Sequence, residues 1–263
     1  MAWDPTQYLK FAGERMRPAI DLVARVPLAA ASTIVDLGCG PGNVSQLLGA
    51  RWPGATITGV DSSEAMLAQA GMATAAEPRY RWRREDLAVW RPEVAVDVVF
   101  SNAALHWVDG HAALLPRLFA AVRPGGVLAV QMPANFEAPS HLSLAATVTD
   151  ERWRERLAAR LRPRPVARAD DYYEWLAPQA GALDIWTTEY LHVLPAGDGR
   201  EHPVVAWTRG TALTPFLGAL DVAGQCEFLA DYGARVAAAY PRRADGRVLF
   251  PFRRLFIIAL RAL

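Results

Sequence analysis

The chain has 263 residues, 52% of them hydrophobic, with 28 basic and 27 acidic side chains and a formal net charge of +1. That length suits a single domain, residues 1–263, with insertions around a sizeable core, and so even a charge balance offers no global field that would select nucleic acid or a membrane surface as partner. Two cysteines, Cys39 and Cys226, make no disulfide framework and suit a reducing cytoplasm; no basic-then-apolar leader and no apolar run of roughly 18–20 residues is present, so the expected location is cytoplasmic.

The first half alternates short apolar runs with helical patterns, as the strand-helix-strand units of a parallel sheet do. Residues 33–37 read as the first strand and 43–51 as the helix after it. Residues 55–61 read as the second strand, 63–70 as a helix, and 80–86 as a more polar third strand. The fourth strand is expected over 97–101. A helix over 112–122 is closed by Pro124-Gly125-Gly126, and 127–132 form the fifth strand. The pattern then changes. Residues 140–161 are a long helical stretch rich in arginine, 170–178 a short helix, and 183–194 strand-like. A glycine-bearing loop covers 195–203. Residues 204–240 are mostly helical with a break near Thr214-Pro215, and 255–260 form a final strand. The expected organisation is a ligand-binding core over 30–135, with helical insertions at 136–182 and 195–250 forming a cap around the late strands. Arg152, Arg156 and Arg160 make a helical stripe beside Glu151 and Glu155, read as a solvated face. His111, His141, His192 and His202 show no metal-ligand spacing, and no metal is expected.

The strongest chemical signal is Val35-Asp36-Leu37-Gly38-Cys39-Gly40-Pro41-Gly42, which follows a strand and opens a helix. Ligands of doubly wound sheets bind at this place. Glycines permit the tight turn and close backbone approach, and the helix N-terminus offers free N–H groups. A dinucleotide site is the competing reading, but the third glycine of its pattern falls on Asn43, and Asp36 places a carboxylate where a pyrophosphate would lie. A carboxylate there suits the ammonium of an amino-acid head. Asp61 ends the second strand, where it can accept from two ribose hydroxyls, or else cap the helix that follows. Asp86-Leu87 can take an adenine amino group and cover its ring, or form a surface turn. Ser101-Asn102 ends the fourth strand at the same edge.

These spaced features resemble the class I S-adenosylmethionine-dependent methyltransferases over roughly residues 30–135. The resemblance implies an α/β, Rossmann-like fold: a doubly wound, mostly parallel seven-stranded sheet with only its last strand antiparallel. It implies S-adenosyl-L-methionine as cofactor. The cofactor-binding set is then Asp36, Gly38, Cys39, Gly40, Asp61, Ser62, Met66, Asp86, Leu87 and Asn102.

Motifs outside that core extend the resemblance. They are Trp3-Asp4-Pro5, Glu14-Arg15-Met16-Arg17-Pro18-Ala19, Gln131-Met132-Pro133-Ala134-Asn135, Trp207-Thr208-Arg209 and Arg254-Leu255-Phe256. Together they resemble the trans-aconitate 2-methyltransferase family over essentially the whole chain, with the arginine-rich residues 151–168 as a departure. The implied reaction is methyl transfer to a carboxylate of trans-aconitate, giving a monomethyl ester and S-adenosylhomocysteine. Another small carboxylate or a lipid-like acceptor is the alternative, and a donor-binding scaffold without turnover is the reading from a different class.

A small polycarboxylate needs fixed cations, and arginine suits it best. The candidates are Arg15, Arg17, Arg209 and Arg254. Residues two apart on a helix point to roughly opposite sides, so Arg15 and Arg17 do not both face one ligand, and Arg17 can pair with Glu14. His106 can donate to a substrate carboxylate and Trp107 can wall the pocket, with packing as the plainer role. Tyr8 joins the substrate set as the family resemblance suggests. No residue is assigned as a general base, because an aliphatic carboxyl group ionises near pH 4 and arrives already anionic.

Overall fold

The computed structural model describes residues 12–162, 166–197 and 199–263. After helix α1 (Ala12–Arg25) come β1 (Thr33–Leu37), α2 (Asn43–Arg51), β2 (Thr56–Asp61), α3 (Glu64–Ala73), β3 (Tyr80–Arg84) and β4 (Val96–Asn102). A 3-10 turn (Leu105–Trp107) leads into α4 (His111–Ala120) and β5 (Val122–Pro133). Then follow α5 (Pro139–Thr149), α6 (Glu151–Leu157), α7 (Ala169–Leu176), β6 (Ala180–Leu194), α8 (Pro203–Arg209), α9 (Thr214–Leu217), α10 (Val222–Ala239) and β7 (Val248–Arg261).

The seven strands form one sheet in the order β3-β2-β1-β4-β5-β7-β6. β1 pairs in parallel with β2 and β4, β2 with β3, and β4 with β5, whereas β7 runs antiparallel to β5. The strand order reverses between β1 and β4, which opens a crevice at their carboxyl ends. β-Branched and aromatic residues fill the central strands: Ile34, Ile57, Val60, Val98, Val99, Phe100, Val130 and Ile257 are all buried.

Several boundaries differ from the sequence reading for identifiable reasons. β5 begins ahead of Pro124-Gly125-Gly126 instead of after it. The register passes from Val96 opposite Val122 to Val98 opposite Val127, so a bulge absorbs the glycines and the proline. The long helical stretch breaks at Asp150, whose side chain accepts from the Arg152 N–H and starts α6. β7 begins at Val248, because Val248, Phe250 and Phe252 alternate inward ahead of the apolar run that marks the strand in the sequence.

The chain divides into two compact units. One comprises residues 15–134, 166–188 and 254–263 and carries the central strands. The other comprises the described residues of 12–14, 135–162 and 189–253. Its core gathers Trp153, Trp207, Phe216, Phe228, Tyr232, Phe250 and Phe252. Here Arg152 of the arginine stripe joins Glu227 (2.6 Å) and Asp231 (3.3 Å) on α10 while lying over the Trp153 ring. Half of that side chain stays exposed, so the stripe is partly a tether between helices.

In the sheet unit, Asp97 ties the start of β4 to the start of β1. One carboxylate oxygen accepts from the Ser32 and Thr33 N–H groups, each at 2.8 Å, and from the Thr33 hydroxyl at 3.0 Å. The other pairs with Arg123. Burial pushes the Asp97 pKa up, but these bonds outweigh it and hold the group below its ordinary value. A depressed pKa contributes stability that is present above the unfolded carboxylate pKa and lost as pH falls through the folded one. Asp97→Ala is expected to cost about 2–4 kcal/mol near neutral pH, since it strips a buried hydrogen-bonded pair. In urea titrations the gap between the two proteins should narrow below about pH 4.

Candidate functional site

The loop after β1 is shaped by contacts that only glycine permits. Gly38 has φ +73°, and a Cβ there would lie 2.1 Å from the Ala104 Cβ beyond β4. Gly42 has φ +83°, and its Cβ would meet the Trp82 ring at 2.8 Å. Both positions are closed to side chains by backbone conformation and by space. The Gly38 and Cys39 N–H groups donate to the Val60 carbonyl at 2.8 and 3.1 Å, binding the loop to β2.

Asp36 is 1% exposed and accepts from the Ser45 hydroxyl on α2 at 2.6 Å. Burial pushes its pKa up to about 7. The Ser45 hydrogen bond opposes the rise and the Asp61 charge adds to it. Cys39 is buried beside both carboxylates; desolvation first, then their charges, push its thiol up, so it is no nucleophile. Asp61 accepts from the Gly40 N–H on one oxygen and from the Ser63 N–H on the other, both at 2.9 Å. The cap of α3 falls to Ser63, which accepts from Met66 N–H at 3.4 Å. Each Asp61 oxygen therefore has acceptor capacity left. Ser62 is exposed beside it and Met66 is buried.

Asp86 is exposed and takes the Ala88 N–H at 2.8 Å, while Leu87 reaches over the loop, its Cδ1 3.5 Å from the position a Gly38 Cβ would occupy. Arg117 of α4 holds this segment by donating to the Leu87, Ala88 and Trp90 carbonyls. Asn102 ends β4 half-buried; its Oδ1 is enclosed and has no hydrogen-bond partner among the described residues. The ten expected donor-site residues thus stand at or just past the carboxyl ends of β1 to β4, in one unit.

The substrate-side residues are more scattered. His106 and Trp107 lie in the 3-10 turn after β4, their rings 4.8 Å apart and Trp107 51% exposed. Buried His111 supports that turn, with Nε2 2.9 Å from the Leu105 carbonyl and Nδ1 2.5 Å from the Tyr172 hydroxyl. Arg254 is buried on β7, in register with Pro133 of β5. Arg209 ends α8 in the other unit, paired with Glu201. Arg15 lies on α1, but its side chain, like Tyr8 as a whole, lies outside the described residues. Arg17 is exposed. The supporting roles of Ser45, Arg117, His111 and Tyr172 are not legible in the sequence, since each depends on how the chain brings its partner alongside. Among the described residues no group of side chains could hold a metal ion and no helix is long and apolar enough to cross a membrane.

This strand order, with a glycine loop at the switch point and acidic residues ending neighbouring strands, defines the class I methyltransferase fold. A family model described as a methyltransferase domain matches residues 34–126. A solved S-adenosylmethionine-dependent methyltransferase from Thiobacillus denitrificans, in complex with S-adenosylhomocysteine, superposes with a TM-score of 0.55 at 17% identity, covering 99% of this chain and 100% of that one. Phosphoethanolamine N-methyltransferase 2 of Haemonchus contortus, solved with S-adenosylmethionine, gives 0.58 at 17% identity over 98% of this chain, which spans only 56% of that longer protein. The chain belongs to the trans-aconitate 2-methyltransferase family. It is 50% identical to the trans-aconitate 2-methyltransferase of Methylobacterium nodulans over 98% of both chains. It is 49% identical to that of an Azoarcus strain over 98% of this chain and 99% of the relative.

The raised Asp36 pKa sets a stability signature. A carboxyl group whose folded pKa exceeds its unfolded value contributes stability that is full below the unfolded pKa and is lost as pH rises through the folded one. The window runs from about pH 4, the unfolded value, to about 7. Asp36→Asn, neutral at every pH, is expected to make the ligand-free protein more stable at pH 8, by on the order of 2–4 kcal/mol. That advantage should vanish towards pH 4, as read by denaturant titration across the window.

Proposed function

We propose that the chain transfers the methyl group of S-adenosylmethionine to a carboxylate of trans-aconitate, releasing the monomethyl ester and S-adenosylhomocysteine. The observation that carries the reading is the near-full-length identity to trans-aconitate 2-methyltransferases, 50% over 98% of both chains. The residues present suit the donor. Asp36 offers a buried carboxylate to its amino-acid ammonium, Asp61 keeps acceptor capacity for ribose hydroxyls, and Asn102 holds a buried carbonyl oxygen without a partner among the described residues at the same edge. Asp86 and Leu87 take the adenine end, with Gly38, Cys39, Gly40, Ser62 and Met66 completing the cradle. The donor supplies an electrophilic methyl group on a positively charged sulfur.

The acceptor's carboxyl group is already ionised at neutral pH and needs no base. The task left to the protein is alignment of the attacking oxygen with methyl and sulfur, together with neutralisation of the remaining negative charge. Arg254, buried at the end of the β5–β7 ladder, supplies a guanidinium whose planar fork matches a carboxylate. His106 and Trp107 border the carboxyl end of β4, the first as a hydrogen-bond donor and the second as a wall against water.

Two outcomes test the reading. Incubated with labelled donor and a panel of polycarboxylates, the protein should methylate trans-aconitate in preference to cis-aconitate, citrate and isocitrate, because a planar acceptor fits a rigid arginine fork. Arg254→Lys should raise the acceptor KM at least about tenfold with little change in donor KM, the fork being lost while the charge stays. A neutral aromatic acceptor methylated equally well defeats the carboxylate reading.

The absence of a general base has its own signature. At saturating donor and acceptor, single-turnover methylation should be nearly flat between about pH 6.5 and 8.5, across the ordinary histidine range. His106→Gln should keep most of the chemical rate. A rate that collapses below pH 7 and falls about a hundredfold or more in that variant indicates proton transfer and contradicts the mechanism.

A further inference from the structure

Gln131 lies near the carboxyl end of β5 and is 0% exposed, yet neither its Nε2 nor its Oε1 has a hydrogen-bond partner among the described residues. Folded proteins rarely enclose an amide and leave both ends unsatisfied, because the lost hydration is not returned. The position of this amide is informative. Gln131 stands in register between Asn102 of β4 and Phe256 of β7. Registered neighbours in a sheet project to the same face, so the three side chains form one row across the carboxyl edge of β4. Asn102 contributes a second enclosed oxygen without a partner and is only half-buried, so the row reaches the accessible edge there. At the other end Phe256 is stacked on Trp186, ring centroids 4.7 Å apart, an apolar wall. One pleat further along the same face, Arg254 lies opposite Pro133.

The backbone singles out the same spot. The Gln131 carbonyl accepts the Ala103 N–H at 2.9 Å. Ala103, at φ +54°, is the one non-glycine residue with positive φ among those described. Backbone held in that region marks places where the surrounding structure imposes a conformation for use elsewhere. Here it turns the chain from Asn102 towards His106 and Trp107.

We propose that Gln131 is a substrate-contacting residue whose Nε2 donates to the carboxylate of the acceptor that is methylated. The inference rests on the carboxylate-methylation reading above and adds to it a residue outside the expected site. The chemistry favours an amide at this place. The attacking oxygen must be oriented without losing its nucleophilicity, and a guanidinium bond to it withdraws more charge than a neutral N–H does. Arginine suits the distal carboxylates and an amide suits the reacting one. Enclosure strengthens the single hydrogen bond by removing competing water. Asn102, in the adjacent register position, carries the N–H groups that the Gln131 oxygen lacks, so both ends of the amide acquire a partner when the site is filled.

The competing account is that ordered water alone satisfies Gln131. Gln131→Met, similar in length and apolar, separates the two. A purely structural amide predicts unchanged kinetics, with any effect confined to the melting temperature. The contact proposed here predicts a trans-aconitate KM raised tenfold or more, a donor KM within about twofold of wild type, and a narrower preference for trans- over cis-aconitate. Gln131→Glu, nearly isosteric but anionic, should raise the acceptor KM further by repelling the carboxylate, and it supplies the answer should the methionine variant fail to fold. Wild-type acceptor KM in either folded variant overturns the inference while leaving the carboxylate reading intact. A wild-type protein that methylates none of the polycarboxylates overturns the reading, and this inference with it.

Discussion

The Asp36 carboxylate, buried at the end of β1 with a hydroxyl and, among the described residues, no cation against it, is the constraint on which the rest of the site depends. Among the described residues neither Asp36 nor Asp61 has an ion-pair partner, although the two stand at the ends of neighbouring strands. An enclosed, unneutralised carboxylate is costly to a folded chain. It becomes favourable when a cationic ligand arrives, because the charge then has a partner in a region of weak screening. The site is in this sense held ready at the expense of stability in the ligand-free protein, a common relation between binding sites and their folds.

The surrounding structure fixes where that charge sits. Trp82 from β3 packs under Gly42, Ala104 from beyond β4 packs on Gly38, and the Gly40 N–H is held by Asp61. Each contact comes from a different strand or its end, so the loop is positioned by β2, β3 and β4 together. Asp97 anchors the opposite end of the same strands through Ser32, Thr33 and Arg123. The two aspartates illustrate opposite outcomes of burial. At Asp97 hydrogen bonds exceed the desolvation and the pKa falls, whereas at Asp36 one hydroxyl does not suffice and the pKa rises.

Across the strand-order reversal the chemistry changes from acidic to neutral and basic. β1 and β2 end in carboxylates, β4 and β5 carry the Asn102 and Gln131 amides, and β7 brings in the buried guanidinium of Arg254. On the proposed assignment, a cationic donor and an anionic acceptor would be sorted by the order of strands along one edge. The antiparallel β7 matters here. It places Arg254 beside the end of β5, although more than a hundred residues separate them, by a ladder that runs from Val127 opposite Leu260 to Pro133 opposite Arg254.

Much of this was legible in the sequence because its causes are local. The glycine loop, the aspartates that end β1 and β2, and the apolar runs of the parallel strands each depend on residues within one turn or one strand, and the family resemblance rests on the same stretches. Boundaries were misread where a distant partner decided them. The bulge around Pro124 is set by β4, and the early start of β7 by a core into which Val248, Phe250 and Phe252 turn. The candidate site divides in the same way. Asp36 and Asp61 announce themselves by position, but nothing near Gln131 in the chain shows that its amide is enclosed without a partner, nor does the neighbourhood of Arg117 show that it holds the Leu87 segment. Sequence alone determined the class of fold, the donor loop and the acidic strand ends, because local periodicity and spacing encode them. Tertiary structure alone decided which polar groups are left unsatisfied, which aspartate is neutralised and which arginine is buried, because desolvation is a property of what the rest of the chain packs around a group and not of the group's neighbours in sequence.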